Sequence, residues 1–371
     1  KCSLTIRLRI RSAAHYTESG RQNKYSVTVK ERNVLKKISV LTLGGTIAYT
    51  WKNGVPQIGD LTGFIDSLDE VKKEADITVK AFRQKSSSSM VISDITGVAA
   101  EIQSLLEGET EGVVVVQGTD TIEETAFALE MLLDSEKPVA VTGAMRNPDM
   151  RGADGPANLL AAIRTVSCSR CRELGVMVVF NDAIYPALYV RKIHPQSTEA
   201  FAAECGPLGY LAEGKPSIRM KPLQRRIPGL AINRWNVDGK RPDQPVSVPI
   251  YAVPVGDDGK LLKCALDCKI DGLVLEAMGG GHTPSELVET LKQLADKMPV
   301  VLASRIGRGD MLTGTYAGYP GSETSLLSKG LISSGFLDGR KARLLLILML
   351  MSGFDMDGIR EGFRIFSKEC E

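Results

Sequence analysis

The sequence has no excess of either charge sign, since 46 lysines and arginines stand against 44 aspartates and glutamates and leave a formal net charge of +2. A balance this close provides no bulk attraction for nucleic acid or for a membrane surface. Long apolar runs are also missing, and the longest, residues 344–351, is far shorter than a membrane-spanning helix. Neither nucleic acid nor a membrane is therefore expected as a partner.

Histidine and cysteine are scarce, with three and seven residues respectively in a chain of 371. Cys168 and Cys171 have the spacing of a redox or zinc pair, but their partners would have to be Cys264 and Cys268, with no histidine nearby. An odd number of widely spaced cysteines favours free thiols in a reducing compartment. We therefore predict a cytoplasmic protein without a metal ion or an organic cofactor.

The chain is long enough for two domains that each bury a core. Residues 1–36 are basic and polar and are interpreted as a disordered or added leader, with a targeting arm as the alternative. Strand and helix patterns then alternate through residues 37–228, the predicted catalytic domain. Residues 229–247 are rich in proline, glycine and charge, which predicts a linker. Residues 248–371 are predicted to form a smaller α/β domain.

Four consecutive valines, residues 113–116, predict a buried strand of a parallel sheet. The strand runs into small polar residues, including Thr119 and Asp120, before a helical pattern begins. Ligands bind at the carboxyl ends of strands in open α/β sheets, so this turn is a candidate site. The alternative is that Thr119 or Asp120 only caps the helix, with Glu123 or Glu124 completing a capping box.

A second apolar strand, at residues 38–43, also runs into glycines and a threonine, Thr46. Two parallel strands that end in hydroxyl residues can face each other across one cleft. LTLGGTIA at 41–48 and QGTDTIEETAFAL at 117–129 together resemble the two threonine signatures of the bacterial-type L-asparaginase/glutaminase family. In this order the pair is specific for the family.

Two further segments, GAMR at 143–146 and ADGPANL at 153–159, are similar to segments of the same family, so the resemblance covers continuous chain. It implies an α/β fold with a larger N-terminal domain, whose mostly parallel sheet has helices on both faces, and a smaller C-terminal α/β domain. It also implies active sites shared between subunits, and hence a homodimer or a homotetramer.

The resemblance implies catalytic roles for Thr46, Thr119, Asp120 and Lys192. Lys192 is preferred to its neighbour Arg191, because arginine cannot give up a proton. Burial would lower the pKa of this lysine and Asp120 would raise it. We expect Lys192 to lie largely desolvated beside Thr119 and to relay a proton through that hydroxyl. Thr46 would then form an acyl-enzyme that water hydrolyses.

Residues that bind an amino acid substrate are also implied by the resemblance. Ser87 and Ser88 would hold the α-carboxylate, and backbone groups around Ala144 would meet the leaving amide. Glu323 would pair with the α-amino group, in a site that the smaller domain completes for a partner subunit. His282 stands where many members of the family carry asparagine.

The sequence thus predicts an amidohydrolase of amino acid metabolism that acts on L-asparagine and water, with L-glutamine as a further candidate substrate. The polar loop at residues 49–60 is predicted to be a lid over the site, or else an ordinary surface crossover. Two other functions stay open, an amidase for another small amide and a non-catalytic amino acid binding protein. A nucleotide-binding module is disfavoured, because Gly44, Gly45 and Thr46 lack GxGxxG spacing.

Overall fold

Runs of β-branched and apolar residues form the strands of this protein, and amphipathic segments between them form the helices. The computed structural model describes residues 35–45, 49–52, 55–58, 73–223, 225–235 and 246–367. The strands of these residues are β1 (Lys36–Thr42), β2 (Tyr49–Lys52), β3 (Val55–Ile58), β4 (Ala75–Ala81), β5 (Gly112–Val116), β6 (Val139–Thr142), β7 (Val176–Phe180), β8 (Ala183–Pro186), β9 (Val190–Lys192), β10 (Phe201–Ala203), β11 (Gly209–Ala212), β12 (Lys215–Ile218), β13 (Ile250–Ala252), β14 (Leu273–Ala277), β15 (Val300–Ser304) and β16 (Ile332–Ser333). The helices are α1 (Ile92–Glu107), α2 (Ile122–Leu132), α3 (Gly155–Ser167), α4 (Lys260–Asp267), α5 (Val288–Ala295), α6 (Glu323–Ser328), α7 (Gly339–Met351) and α8 (Met356–Arg364).

Among the described residues, the larger sheet has eight strands in the order β12-β11-β8-β7-β6-β5-β1-β4. Strands β4, β1, β5, β6 and β7 are mutually parallel, and β8, β11 and β12 continue the sheet antiparallel. The four valines lie in β5, between β1 and β6, where both faces of the strand are covered. Thr42 of β1 pairs with Val116 of β5, so the two strands end at the same edge of the sheet.

Helices cover both faces of this sheet. Val113 and Val115 belong to a core cluster with residues of α1 and α2, whereas Val114 and Val116 belong to a separate cluster with residues of α3. Alternate side chains of a strand point to opposite faces, so one run of valines supplies both cores. The predicted mostly parallel sheet with helices on both faces is confirmed.

A smaller parallel sheet, β13-β14-β15-β16, follows in the C-terminal part of the chain. Helix α7 packs on β14 and β15 with one side and on α2 with another, which explains why the run of apolar residues along it is buried nearly all round. The predicted smaller α/β part is therefore confirmed. Within the described part of the chain, no helix is both long and apolar enough to span a bilayer.

The predicted domain boundaries stay predictions, and most of the predicted leader, residues 1–34, lies outside the described residues. Both sheets belong to one compact unit, Leu35–Glu371. In the first half of the predicted linker, Leu230, Ile232 and Trp235 are buried in the core that includes α1.

The predicted loop at residues 49–60 contains two strands that the sequence interpretation missed. Strands β2 and β3 pair antiparallel, with Tyr49 opposite Ile58. An Asn-Gly pair stands between them in the sequence, at Asn53 and Gly54, and this dipeptide is strongly favoured in two-residue β-hairpin turns. The described part of the segment is therefore an antiparallel pair of strands, and its predicted role as a lid stays a prediction.

Candidate active site

Lys192, the last residue of β9, points its amine at the turn that follows β5. Its Nζ donates to Thr119 Oγ1 at 2.9 Å and to Asp120 Oδ1 at 2.8 Å. The lysine side chain is only 15% exposed, whereas that of Asp120 is 63% exposed. The lysine side chain is thus largely shielded from solvent, as predicted, whereas the carboxylate of Asp120 is exposed to solvent.

The turn that carries Thr119 and Asp120 is a 3-10 turn, Thr119–Thr121, that leads directly into α2. Neither the turn nor α2 has a side-chain capping hydrogen bond at its first position. The capping alternative is therefore wrong, because Thr119 and Asp120 direct their side chains to Lys192. The hydrogen bond from Lys192 holds the pKa of Asp120 below its usual range, although partial burial opposes this shift.

The first threonine motif approaches the same turn. Gly45 has φ of +98°, a conformation suited to glycine, and a Cβ added there would overlap the backbone of Gln117 and Gly118. Thr46 itself lies outside the described residues, so its catalytic role stays a prediction. The residue that precedes it is nevertheless packed against the chain immediately before Thr119.

The serine-rich segment after β4 contributes one of its two predicted residues to this cluster. Ser87 is buried, and its Oγ donates to Asp120 Oδ2 at 3.3 Å. Its backbone carbonyl accepts a hydrogen bond from Thr121 Oγ1 at 3.3 Å. Ser88 is exposed, and its hydroxyl lies 2.9 Å from that of Ser86.

The GAMR loop after β6 also borders Thr119. A Cβ added at Gly143 would meet the backbone of Gln117 and lie 3.4 Å from the methyl group of Thr119. The loop is fixed at both ends, because Asn158 donates to the Gly143 carbonyl at 3.0 Å and Asp154 accepts the N–H of Met145 at 3.0 Å and of Arg146. Ala144, which is buried, lies in the middle of this fixed loop.

Glu323 and His282 form a second cluster, in the C-terminal part of the chain. Glu323 is 0% exposed, and its Oε1 accepts the N–H groups of Thr315 at 2.9 Å and Tyr316 at 2.6 Å. Its Oε2 lies 3.3 Å from His282 Nε2 without the alignment of a hydrogen bond. Burial raises the pKa of Glu323, but the backbone N–H groups of Tyr316, Thr315 and Glu323 itself, together with the neighbouring His282, outweigh this effect and lower it.

Within the described residues, no hydrogen bond or ion pair joins this second cluster to Lys192, Thr119 or Asp120. The predicted roles of Glu323 and His282 in substrate binding stay predictions.

One contributor to the site was missed at the sequence level. Glu123 was considered only as a capping residue, yet its carboxylate accepts the backbone N–H of Lys192 and pairs with Arg340. The signal available was an acidic residue four positions after the threonine, at the start of a helix that is mostly apolar.

The cysteines in the described part of the chain form no site of their own. Cys168, Cys171, Cys264 and Cys268 are free thiols, of which Cys171 is buried and the last two are exposed. Burial raises the pKa of the Cys171 thiol to about 12, so it is unreactive at neutral pH. Within the described ranges, no group of three or more histidine, cysteine, aspartate or glutamate side chains is arranged to hold a metal ion.

Comparison with known proteins places this geometry in a family. The N-terminal asparaginase family model matches residues 37–224, and the glutaminase/asparaginase C-terminal domain model matches residues 247–363. An L-asparaginase of Bacillus licheniformis is 29% identical over 340 residues, which cover 88% of this chain and 99% of that protein. A probable L-asparaginase of Deinococcus radiodurans is 36% identical over 279 residues, which cover 71% of this chain and 78% of that protein.

A solved structure agrees with these relatives. The crystal structure of a probable cytoplasmic L-asparaginase from Campylobacter jejuni superposes with a TM-score of 0.77 at 30% identity, and the match covers 89% of this chain and 99% of that one. Fold and relatives together define an α/β amidohydrolase. The chain belongs to the asparaginase family, which confirms the resemblance first seen in the two threonine motifs.

Proposed function

We propose that this protein hydrolyses the side-chain amide of L-asparagine to L-aspartate and ammonia through a threonine acyl-enzyme, with L-glutamine as a second substrate. The observation that supports this proposal is the contact of a largely desolvated lysine amine with Thr119 Oγ1 and Asp120 Oδ1. The names of the relatives, L-asparaginase in both cases above, agree with the proposed substrate. A cytoplasmic location is proposed with it, in agreement with the description of the Campylobacter jejuni protein as a probable cytoplasmic L-asparaginase.

In the proposed reaction, the hydroxyl of Thr46 loses its proton and attacks the carbonyl carbon of the amide, and the C–N bond then breaks as the leaving nitrogen takes up that proton and departs as ammonia. Lys192 relays that proton through the hydroxyl of Thr119, since the lysine amine lies at hydrogen-bond distance from this hydroxyl. Asp120 orients the amine by its second hydrogen bond. Backbone groups around Ala144 receive the departing amide nitrogen, and water then releases aspartate from Thr46.

Substrate binding is proposed to use the charged ends of the amino acid. Ser87 and Ser88 hold the α-carboxylate, and Ser87 already lies within hydrogen-bond distance of Asp120. Glu323 with His282 is proposed to meet the α-amino group in the site of a partner subunit, which requires a homodimer or a homotetramer. Both residues lie in the C-terminal cluster, as this proposal needs.

The deciding experiment measures ammonia release from L-asparagine, L-glutamine, D-asparagine and simple amides such as propionamide. We expect L-asparagine to give the highest kcat/KM, and the variants Thr46→Ala and Thr119→Val to lose at least about a hundredfold in kcat. Thr125→Val is the matched control, because this buried threonine of α2 has a hydroxyl with no hydrogen-bond partner among the described residues.

Three outcomes separate the alternatives. Preference for a simple amide over both amino acids would make the protein an amidase of another kind. Binding of L-asparagine without ammonia release would make it an amino acid binding protein. If both threonine variants kept kcat within about tenfold of the wild type, the acyl-enzyme scheme would be abandoned.

A further inference from the structure

The backbone of Lys192 is held by a buried carboxylate that has no role in the proposed reaction. Glu123, in the first turn of α2, is 2% exposed, and one of its oxygens accepts the N–H of Lys192. Its other oxygen lies 2.7 Å from Nη1 of Arg340, in the first turn of α7. A chain of contacts therefore runs from the C-terminal part of the protein to the backbone of the lysine.

The same turn of α7 holds the strand that ends in Lys192. Lys341 is buried, and its Nζ donates to the carbonyls of Leu188 at 2.9 Å and Val190 at 2.7 Å. Leu188, Val190 and Lys192, whose backbone groups make these contacts, are alternate residues of one short stretch of chain. Holding them fixes the peptide planes of β9 and therefore the direction in which the Lys192 side chain leaves the strand.

The partners of Glu123 offset part of the cost of burying its carboxyl group. Burial raises its pKa, and Arg340 and the Lys192 N–H oppose that shift. If this buried carboxylate lost either partner, its unpaired charge would be costly, and the surrounding groups would rearrange to supply another hydrogen bond. The arrangement has the form of an outer shell that orients the functional side chain, as is common around catalytic groups.

We propose that Glu123 and Arg340 are positioning residues for Lys192. By holding its backbone, they set the distances from its amine to Thr119 Oγ1 and Asp120 Oδ1. The inference rests on the proposed function for its kinetic consequence, but not for its geometry. It assigns to the C-terminal part of the chain a role in the active site of its own subunit.

Steady-state kinetics on folded enzyme tests the kinetic consequence. We expect Glu123→Ala to lower kcat at least about tenfold with KM within about threefold, because a shift of the order of 1 Å in a catalytic group can cost about a hundredfold in rate. Glu123→Gln keeps an acceptor for the Lys192 N–H and should fall between Glu123→Ala and the wild type. The double variant with Arg340→Met should be no slower than Glu123→Ala, since the two residues act as one unit.

Glu124→Gln is the matched control, because it removes the same charge from the next position of α2. Among the described residues, no hydrogen bond or ion pair is found between Glu124 and Lys192. It should leave kcat within about threefold of the wild type. Arg340→Lys should restore part of what Arg340→Met loses, since a cation remains beside Glu123.

Hydrogen exchange at the Lys192 amide provides a readout that does not depend on activity. Exchange should be at least about tenfold faster in Glu123→Ala than in the wild type and unchanged in Glu124→Gln. The inference is overturned if this exchange rate does not change, or if Glu123→Ala keeps wild-type kcat in an active enzyme. A wild type that is inactive on every amide, with the expected exchange pattern, would instead reject the proposed function and leave the positioning in place.

Discussion

Replacing Lys192 by methionine tests the centre of the proposed mechanism. Methionine keeps much of the aliphatic volume but removes the amine, and with it the hydrogen bonds to Thr119 and Asp120. Because the lysine side chain is only 15% exposed, water has little access with which to replace the lost donor. We expect kcat to fall about a thousandfold, within the range of about 10² to 10⁴ for loss of a general acid-base group. This corresponds to about 4 kcal/mol of lost transition-state stabilisation.

Two further lysine variants show whether the proton or only the charge matters. Lys192→Arg keeps a cation beside Asp120 but cannot give up a proton, so it should be nearly as slow as the methionine variant. Lys80→Met is the matched control, because Lys80 forms an ion pair of similar length, 2.7 Å to Glu101, on the exposed surface. Ammonia release measures all three. Full activity of Lys192→Arg would refute a proton transfer through this residue.

The pKa of Asp120 measures the effect of replacing Lys192 by methionine without an activity assay. Its pKa is low mainly because Lys192 donates a hydrogen bond to it, whereas partial burial acts in the opposite direction. Removing the amine should therefore raise the pKa of Asp120. An NMR titration of the side-chain carboxyl would show this change. A titration that does not move would mean that the two groups are not in contact in solution.

Two other predictions concern stability and the approach of the two threonine motifs. Burial raises the pKa of Glu130 from 4.5 to about 7, so the native state holds a proton that the unfolded chain has lost, and stability should fall as pH rises from about 4.5 to 7. Urea unfolding at pH 5 and pH 8 should show that Glu130→Gln reduces this fall, unlike the exposed control Glu286→Gln; an equal effect at both pH values would contradict it. Gly45→Ala should lower both thermal stability and kcat, because its Cβ would overlap the backbone of Gly118. Gly309→Ala carries a similar positive φ with open space around it, so an equal loss in both variants would show that the overlap is unimportant.

The fold and the centre of the site could be predicted because their signals are local. A run of valines that ends in Thr119 and Asp120 predicts both a buried parallel strand and a polar turn at its carboxyl end. The last two strands at one end of the sheet, β11 and β12, have no such signal, since each has four residues, of which β11 buries one and β12 none. The antiparallel pair of β2 and β3 was missed although the Asn-Gly dipeptide between them in the sequence favours a hairpin, because the segment was judged by its polarity.

The partners of Glu123 could not be predicted, because they depend on how distant elements pack. An acidic residue in the first turn of a helix is typical of a cap or of a favourable charge near the helix N-terminus. Arg340 lies far from Glu123 along the chain, at the start of a helix whose remaining sequence indicates a buried apolar element. Only packing of α7 against α2 brings the two charges together.

Two basic residues, Arg340 and Lys341, stand at the start of α7, where the helix dipole disfavours positive charge. Their presence there therefore needs a reason outside the helix. Cations are unfavourable near the positive end of the helix dipole, and Asp338 already caps α7 by accepting the N–H groups of Arg340 and Lys341. Lys341 is buried as well, and burial lowers its pKa to about 8. Neither basic side chain is therefore explained by the stability of α7 itself. Arg340 pairs with Glu123, which accepts the N–H of Lys192, and Lys341 donates to the carbonyls of Leu188 and Val190. Both basic residues thus act on the short stretch of chain that carries Lys192, which supplies the missing reason.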